Sequence, residues 1–261
     1  RNKEYYVYLM ILQTGMLGVF IAFDFFLFYI FWEVMLVPMY FLIGIWGSAN
    51  RLYSAIKFFL FTLVGSICLL IVMLGLYFYT PEGTGGTGST WNMMVLQGRT
   101  ATRTVGEQTV TIDGRNVMAL FAEGGPHWVF ARWAFWLSLI AFLVKLPGVP
   151  FHTWLPDAHT DAPTAGSVIL AAVMLKMGTY GILRFNFPML PDATIYFSTF
   201  LAVIGVVNIV YGAFCALAQN DLEKLVAYSS ISHMGYVMLG MSAFTVHGIN
   251  GAVFQMFNHG T

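Results

Sequence analysis

The 261 residues carry 12 Lys+Arg against 12 Asp+Glu; only 9% are charged, 58% are hydrophobic, and the mean hydropathy is +0.74. Soluble domains carry roughly a quarter charged residues, so this composition excludes an ordinary aqueous globule, and zero net charge offers no footing for nucleic acid. Cys68 and Cys215 both lie in apolar runs, where a thiol behaves as a small hydrophobe, so neither a disulfide nor a paired-cysteine metal site is expected.

A helix needs about 20 apolar residues to cross the hydrocarbon core. In chain order the expected spans are Tyr5 to Phe23, Phe25 to Trp46, Tyr53 to Tyr79, Ala131 to Leu146, Ala165 to Leu183, Thr194 to Ala218 and Leu222 to Phe244, with an eighth starting near Val246. The first two meet at Asp24 with almost no loop. The fold class is therefore an all-α polytopic membrane protein with about eight transmembrane helices. The domain reading is three helices over 1–79, an extracytoplasmic loop over 80–130, and a broken helix with further spans over 131–261. The chain opens on Arg1-Asn2-Lys3 and stops partway into its last apolar run, so further helices are expected beyond both ends.

Lys and Arg in short connections mark the cytoplasmic side. Arg1 and Lys3, Arg51 and Lys57, and Lys224 all fall on one side by alternation, which puts residues 80–130 on the other. Inside that loop, Val105 to Val117 alternates β-formers around Asp113-Gly114 and reads as a small hairpin. The run Gly83-Thr84-Gly85-Gly86-Thr87-Gly88 spells a dinucleotide-binding pattern but follows a membrane helix and Pro81 rather than a strand, so no nucleotide site is read there.

Three charges lie inside apolar spans: Glu33, Lys145 and Lys176. An ionisable group at depth costs about 2.5 to 3.5 kcal/mol on insertion scales, which points to function, to a partner or to water. Glu33 is eight residues beyond Phe25, about 12 Å along a helix, and Pro38 cannot donate to the carbonyl of Val34, so a kink is expected just beyond the carboxylate. Lys145 precedes Leu146-Pro147-Gly148-Val149-Pro150, a helix break that should leave the carbonyls of Leu143 and Leu146 unpaired. Those dipoles favour the ammonium while desolvation opposes it, leaving the lysine poised. Lys176 falls near mid-span, with Ala171, Ala172, Gly178 and Gly181 as small residues for close helix contact. His233 and His259 add groups suited to a proton relay. His152, Asp157, His159 and Asp161 cluster after the break; their spacing matches no zinc pattern, and a loop contact or the mouth of a proton path suits them better. The competing reading is structural, with the buried ions fixing only helix register.

Phe31-Trp32-Glu33-Val34-Met35-Leu36-Val37-Pro38-Met39-Tyr40, Val144-Lys145-Leu146-Pro147-Gly148-Val149-Pro150-Phe151-His152-Thr153-Trp154-Leu155-Pro156-Asp157-Ala158-His159 and Asp221-Leu222-Glu223-Lys224-Leu225-Val226-Ala227-Tyr228-Ser229-Ser230-Ile231-Ser232-His233-Met234-Gly235 together resemble the M chain (subunit 4 in organelles) of respiratory complex I. The likeness covers nearly all of the chain except residues 80–130, which are longer than the family pattern. It implies a fourteen-helix antiporter-like fold built from two inverted five-helix repeats, and proton translocation without a redox centre in this subunit. Glu33 would pair with Lys145, Lys176 would be the central lysine, and His233 and His259 would lead toward a later broken helix. NADH, flavin, iron–sulfur clusters and quinone would belong to other subunits, and the partners would be other membrane-arm subunits and the bilayer. The implied setting is an energy-converting membrane, the bacterial inner membrane or that of an organelle. A subunit of a multi-component cation/proton antiporter or of a membrane-bound hydrogenase is the alternative.

Overall fold

The computed structural model describes residues 2–83, 89–105 and 108–261. Among the described residues, six helices are long and apolar enough to cross a membrane: Asn2–Ile21, Phe25–Trp46, Arg51–Gly83, Trp128–Lys145, Thr164–Met189 and Ser198–Leu217, referred to below as the first to sixth spans. Two more, Leu222–Ser242 with 21 residues and Val246–Gly260 with 15, stand where the sequence puts its seventh and eighth spans. The polarity is the reverse of an aqueous protein. Leu217 is 81% exposed and Phe78 69%, whereas Lys145, Lys176, Asn208 and Thr62 are buried, as expected when the surrounding solvent is hydrocarbon.

Local chemistry sets the helix ends. Asp24 supplies the junction between the first two spans, its carboxylate accepting the Leu27 N–H at 3.0 Å as an N-cap. The second span is interrupted at Met35, giving Phe25–Val34 and Leu36–Trp46. The interruption follows from Pro38, which removes the donor that Val34 needs; the next bond, Met39 N–H to the Met35 carbonyl, is stretched to 3.4 Å.

The long loop departs from the sequence reading. The hairpin exists, but it pairs Ala101–Val105 with Gln108–Ile112 in antiparallel register, Ala101 opposite Ile112. The connection between the strands, 106–107, lies outside the described residues, and Asp113-Gly114 lies beyond the second strand. Asp113 instead caps the helix Gly114–Phe121, accepting the Arg115 N–H at 3.0 Å. An Asp-Gly pair serves a helix start as readily as a hairpin turn, and here the cap prevails. Residues 84–88 of the glycine-rich run also lie outside the described residues.

Tight helix pairing rests on glycine. A Cβ on Gly235 would stand 2.7 Å from the Gly205 carbonyl, and one on Gly212 would stand 2.7 Å from the Ser232 nitrogen, so the sixth span and the helix after it meet backbone to backbone. At one end of the bundle, Ser48 N–H bonds the Asp161 carbonyl at 2.9 Å and Lys57 pairs with Asp157 at 2.6 Å. At the other end, Asp24 bridges Asn92, Gln97 reaches the Arg184 carbonyl at 2.9 Å and His127 meets Glu82 at 2.7 Å. The short basic connections thus gather at one end and the long loop at the other.

Candidate functional site

The fourth span stops at Lys145, the last residue of its final turn, and Leu146 closes it by donating to Phe142 at 2.8 Å. The expected orphan carbonyl at Leu143 is in fact satisfied: Gly148 N–H reaches it at 2.8 Å. The Val144 carbonyl accepts the Trp154 indole N–H at 2.8 Å, and Val149 N–H donates to Asn208 of the sixth span at 2.8 Å. The break is therefore built as a closed hydrogen-bonded turn. This corrects the expectation for the Leu143 carbonyl, because Pro147 removes one donor and Gly148 supplies the next.

Lys145 itself is 2% exposed, and its Nζ has no hydrogen-bond partner among the described residues. It lies over the Trp32 ring at 5.0 Å from the centroid. Glu33 lies within electrostatic reach of Lys145, yet the two form no ion pair at 4.0 Å or closer. The implied direct pairing of Glu33 with Lys145 is thus absent from this arrangement. Neighbouring helical residues point about 100° apart, so while Trp32 packs inward on Phe142, Glu33 turns aside with Oε1 buried and unpartnered among the described residues and Tyr29 beside it.

Lys176 has a different setting. Its ammonium donates to the Ala171 carbonyl at 2.6 Å and stands 2.5 Å from Nδ1 of His259. The His259 ring centroid is 5.7 Å from that of His233, whose Nδ1 meets the Gln255 amide at 3.2 Å. Three of the five residues singled out in the sequence thus lie in the order Lys176, His259, His233, the first two hydrogen-bonded and the two rings neighbours, while Lys145 and Glu33 form a separate pair of buried groups. Two π-helical turns, Leu170–Met174 and Ile182–Asn186, flank the lysine, and the first contains the carbonyl it bonds. Gly178 lets the fifth span press on the break: a Cβ there would stand 2.6 Å from the Phe142 carbonyl and 2.7 Å from the Leu146 nitrogen.

After the break, Asp157 is held by Lys57, and the Asp161 carboxylate accepts from the hydroxyls of Ser48 and of Ser54, the latter at 2.5 Å. His152 meets the Tyr211 hydroxyl at 3.2 Å. Both aspartates and one nitrogen of His152 are thus engaged by protein groups, whereas Nδ1 of His152 and Nδ1 of His159 have no hydrogen-bond partner among the described residues.

A family model described as NADH:quinone oxidoreductase/Mrp antiporter, transmembrane, matches residues 22–261. The chain belongs to this family. Among antiporter-family relatives, the NADH-quinone oxidoreductase subunit M of Rhodobacter capsulatus is 44% identical over 268 residues, covering 100% of this chain and 47% of the relative. A chain of the Thermus thermophilus respiratory complex I with bound NADH superposes with a TM-score of 0.79 at 27% identity, over 98% of this chain and 48% of the other. The Mrp complex of a Dietzia species matches at a TM-score of 0.75 and 23% identity, over 97% of this chain and 42% of the other, a likeness of fold. The chain spans about half the length of the curated relatives it matches.

Within this antiporter-family chain, sequence reasoning missed Asn208, Trp154 and the two π-helical turns. A lone asparagine in the apolar run Val207-Asn208-Ile209 was the available signal for the first, since a membrane-buried amide needs a partner. Trp154 gives no such warning, and the π turns have no residue signature.

Proposed function

We propose that this chain forms the proton-conducting part of a membrane-arm subunit of NADH:quinone oxidoreductase, a translocase component with no redox centre of its own, in the bacterial inner membrane. Other membrane-arm subunits are its partners, and NADH, flavin, iron–sulfur clusters and quinone are held elsewhere in that complex. The observation that supports this most is the buried contact between Lys176 Nζ and His259 Nδ1 at 2.5 Å. An ammonium facing an imidazole nitrogen can pass its proton along the hydrogen bond, leaving a neutral amine and an imidazolium. The other ring nitrogen then offers the proton toward His233. His233 passes its proton onward and a new proton restores the Lys176 ammonium; His259, which gained a proton at Nδ1 and lost one at the other nitrogen, returns to its first tautomer by a ring flip or a proton shift before the next transfer.

Lys145 and Glu33 provide the control element in this reading. With Glu33 aside, as observed, the ammonium of Lys145 lies over the Trp32 ring with no hydrogen-bond partner among the described residues. Approach of the carboxylate to about 4 Å would favour the charged lysine by roughly 4 kcal/mol at an effective dielectric near 20, about a thousandfold in protonation. That swing is enough to load and release a proton. The 44% identity to a subunit M favours this function over the Mrp-type antiporter that shares the family, and the partners that co-purify with the full-length protein discriminate the two.

The test is proton pumping by inverted membrane vesicles carrying the full-length protein with Lys176→Ala and, separately, Lys145→Ala, with NADH oxidation and assembly followed in parallel. Pumping is expected to fall while the complex stays assembled. Unchanged pumping in both variants would reduce the buried lysines to structural cations.

A further inference from the structure

Ala171, whose carbonyl holds Lys176, is also a wall of a separate cavity of about 290 Å³ at the basic end of the bundle. His159 of the helix Trp154–Asp161, Thr164 and Ser167 of the fifth span, and Glu223 in the first turn of Leu222–Ser242 line the same space. The cavity has room for several waters, and it is polar enough to hold them. Nδ1 of His159 is buried with no hydrogen-bond partner among the described residues, while Ser167 Oγ anchors the His159 carbonyl at 2.7 Å.

Asp157 is taken by Lys57, Asp161 by two serines, and Asp221 caps the Glu223 N–H at 2.9 Å. The Glu223 carboxylate is exposed and makes no hydrogen bond or ion pair among the described residues. Burial lowers the proton affinity of His159, and the Glu223 charge partly restores it. His259, the partner of Lys176, is in turn within electrostatic reach of His159. The other charged groups around this corner are Lys224, beside Glu223, and the Lys57–Asp157 pair.

We propose that this cavity is the aqueous mouth that supplies Lys176, with Glu223 collecting protons at the surface and His159 passing them inward. The proposal rests on the reading of Lys176 as a proton carrier. The Glu223 carboxylate takes a proton from bulk water and gives it, through cavity water, to the neutral His159. His159 then returns to neutral by protonating the free amine of Lys176. No bond other than those to the transferred proton is made or broken.

Two measurements on the full-length subunit in its assembled complex test this, using inverted vesicles whose outer face is the cytoplasmic one. In the first, Ala171→Cys is exposed to a membrane-impermeant cationic thiosulfonate in the bath, in a subunit whose Cys68, Cys215 and every further cysteine of the full-length chain are replaced by Ala, and labelling is read as the mass of the subunit. Labelling is expected; an unlabelled cysteine would show the cavity closed to water and overturn the proposal. In the second, the ratio of protons pumped to NADH oxidised is followed against bath pH for Glu223→Gln. A collecting carboxylate matters when protons are scarce, so the ratio should match the parent at pH 6 and fall at least about threefold at pH 8, with Glu223→Asp restoring it. A loss equal at both pH values, or none at either, would overturn the role of Glu223. Retained pumping in Lys176→Ala would sink the underlying function, whereas lost pumping there with a flat Glu223→Gln profile would sink only the mouth.

Discussion

Replacing Gly178 by alanine adds one methyl group at the point where the fifth span bears on the helix break. That carbon would lie 2.6 Å from the Phe142 carbonyl, 2.7 Å from the Leu146 nitrogen and 2.9 Å from the Leu146 Cβ. Two of these are backbone atoms of the turn that ends at Lys145, so no side chain can rotate away. Ordinary contact at about 3.4 Å requires the two helices to part by roughly 0.8 Å. Overpacking of this kind costs about 1 to 3 kcal/mol, and a displacement near 1 Å at a reacting group can cost on the order of a hundredfold in rate. The assay is thermal unfolding of the purified complex in detergent together with pumping in vesicles. Gly251→Ala, where the new carbon meets nothing within 4 Å among the described residues, and Gly166→Ala, whose nearest neighbour among them is 3.5 Å away, are the controls and should be near neutral. If Gly178→Ala unfolds and pumps like Gly251→Ala, the break is not braced by this contact and the packing argument fails.

Trp154→Phe keeps an aromatic side chain, although a smaller one, and removes the indole N–H that the Val144 carbonyl accepts at 2.8 Å. A buried carbonyl left unpaired costs about 1 to 3 kcal/mol, so the melting temperature should fall measurably, whereas no change would mean that the break finds another donor. On the opposite side of the bundle, hydrogen bonds from Arg115 hold the Asp113 carboxyl below the ordinary aspartate range. A depressed folded-state value means that the cap's contribution is present above the ordinary aspartate value and is lost as pH falls through the lower one. Amide exchange over Gly114–Phe121 should therefore accelerate on acidification beyond its intrinsic pH dependence, and this excess should vanish in Asp113→Asn, which keeps the cap without the charge.

Most of the helix plan was legible because apolar length is decisive in a bilayer: Asp24, Pro38 and the Pro147 to Pro150 stretch mark the first junction, the kink and the break at the right places. The depth of Lys145 and Lys176 followed from the same counting. Pairing was less legible. Glu33 and Lys145 are near in space but separate, because one helical step decides whether Trp32 or Glu33 meets the lysine. The Leu143 carbonyl was read as orphaned from Pro147, but the flexible residue after it turns back to cap the helix. The contact of Lys176 with Ala171 depends on a backbone bonding pattern that no residue type announces. The hairpin was found but placed a turn too late, since Asp113 fits two kinds of local structure equally well.

The wide turns around Lys176 carry a consequence for how this site can change. A π turn holds one residue more than the α turn it replaces, and one residue is worth about 100° of rotation along a helix. The direction in which Lys176 points is therefore fixed by chain length as much as by chemistry. Loss of a single residue between Leu170 and Met174 would regularise the turn without disturbing the apolar pattern, yet swing the amine away from His259 relative to the turns before it. A lineage could silence this lysine by deletion while keeping every charged residue, and an intact motif would then conceal a disconnected site.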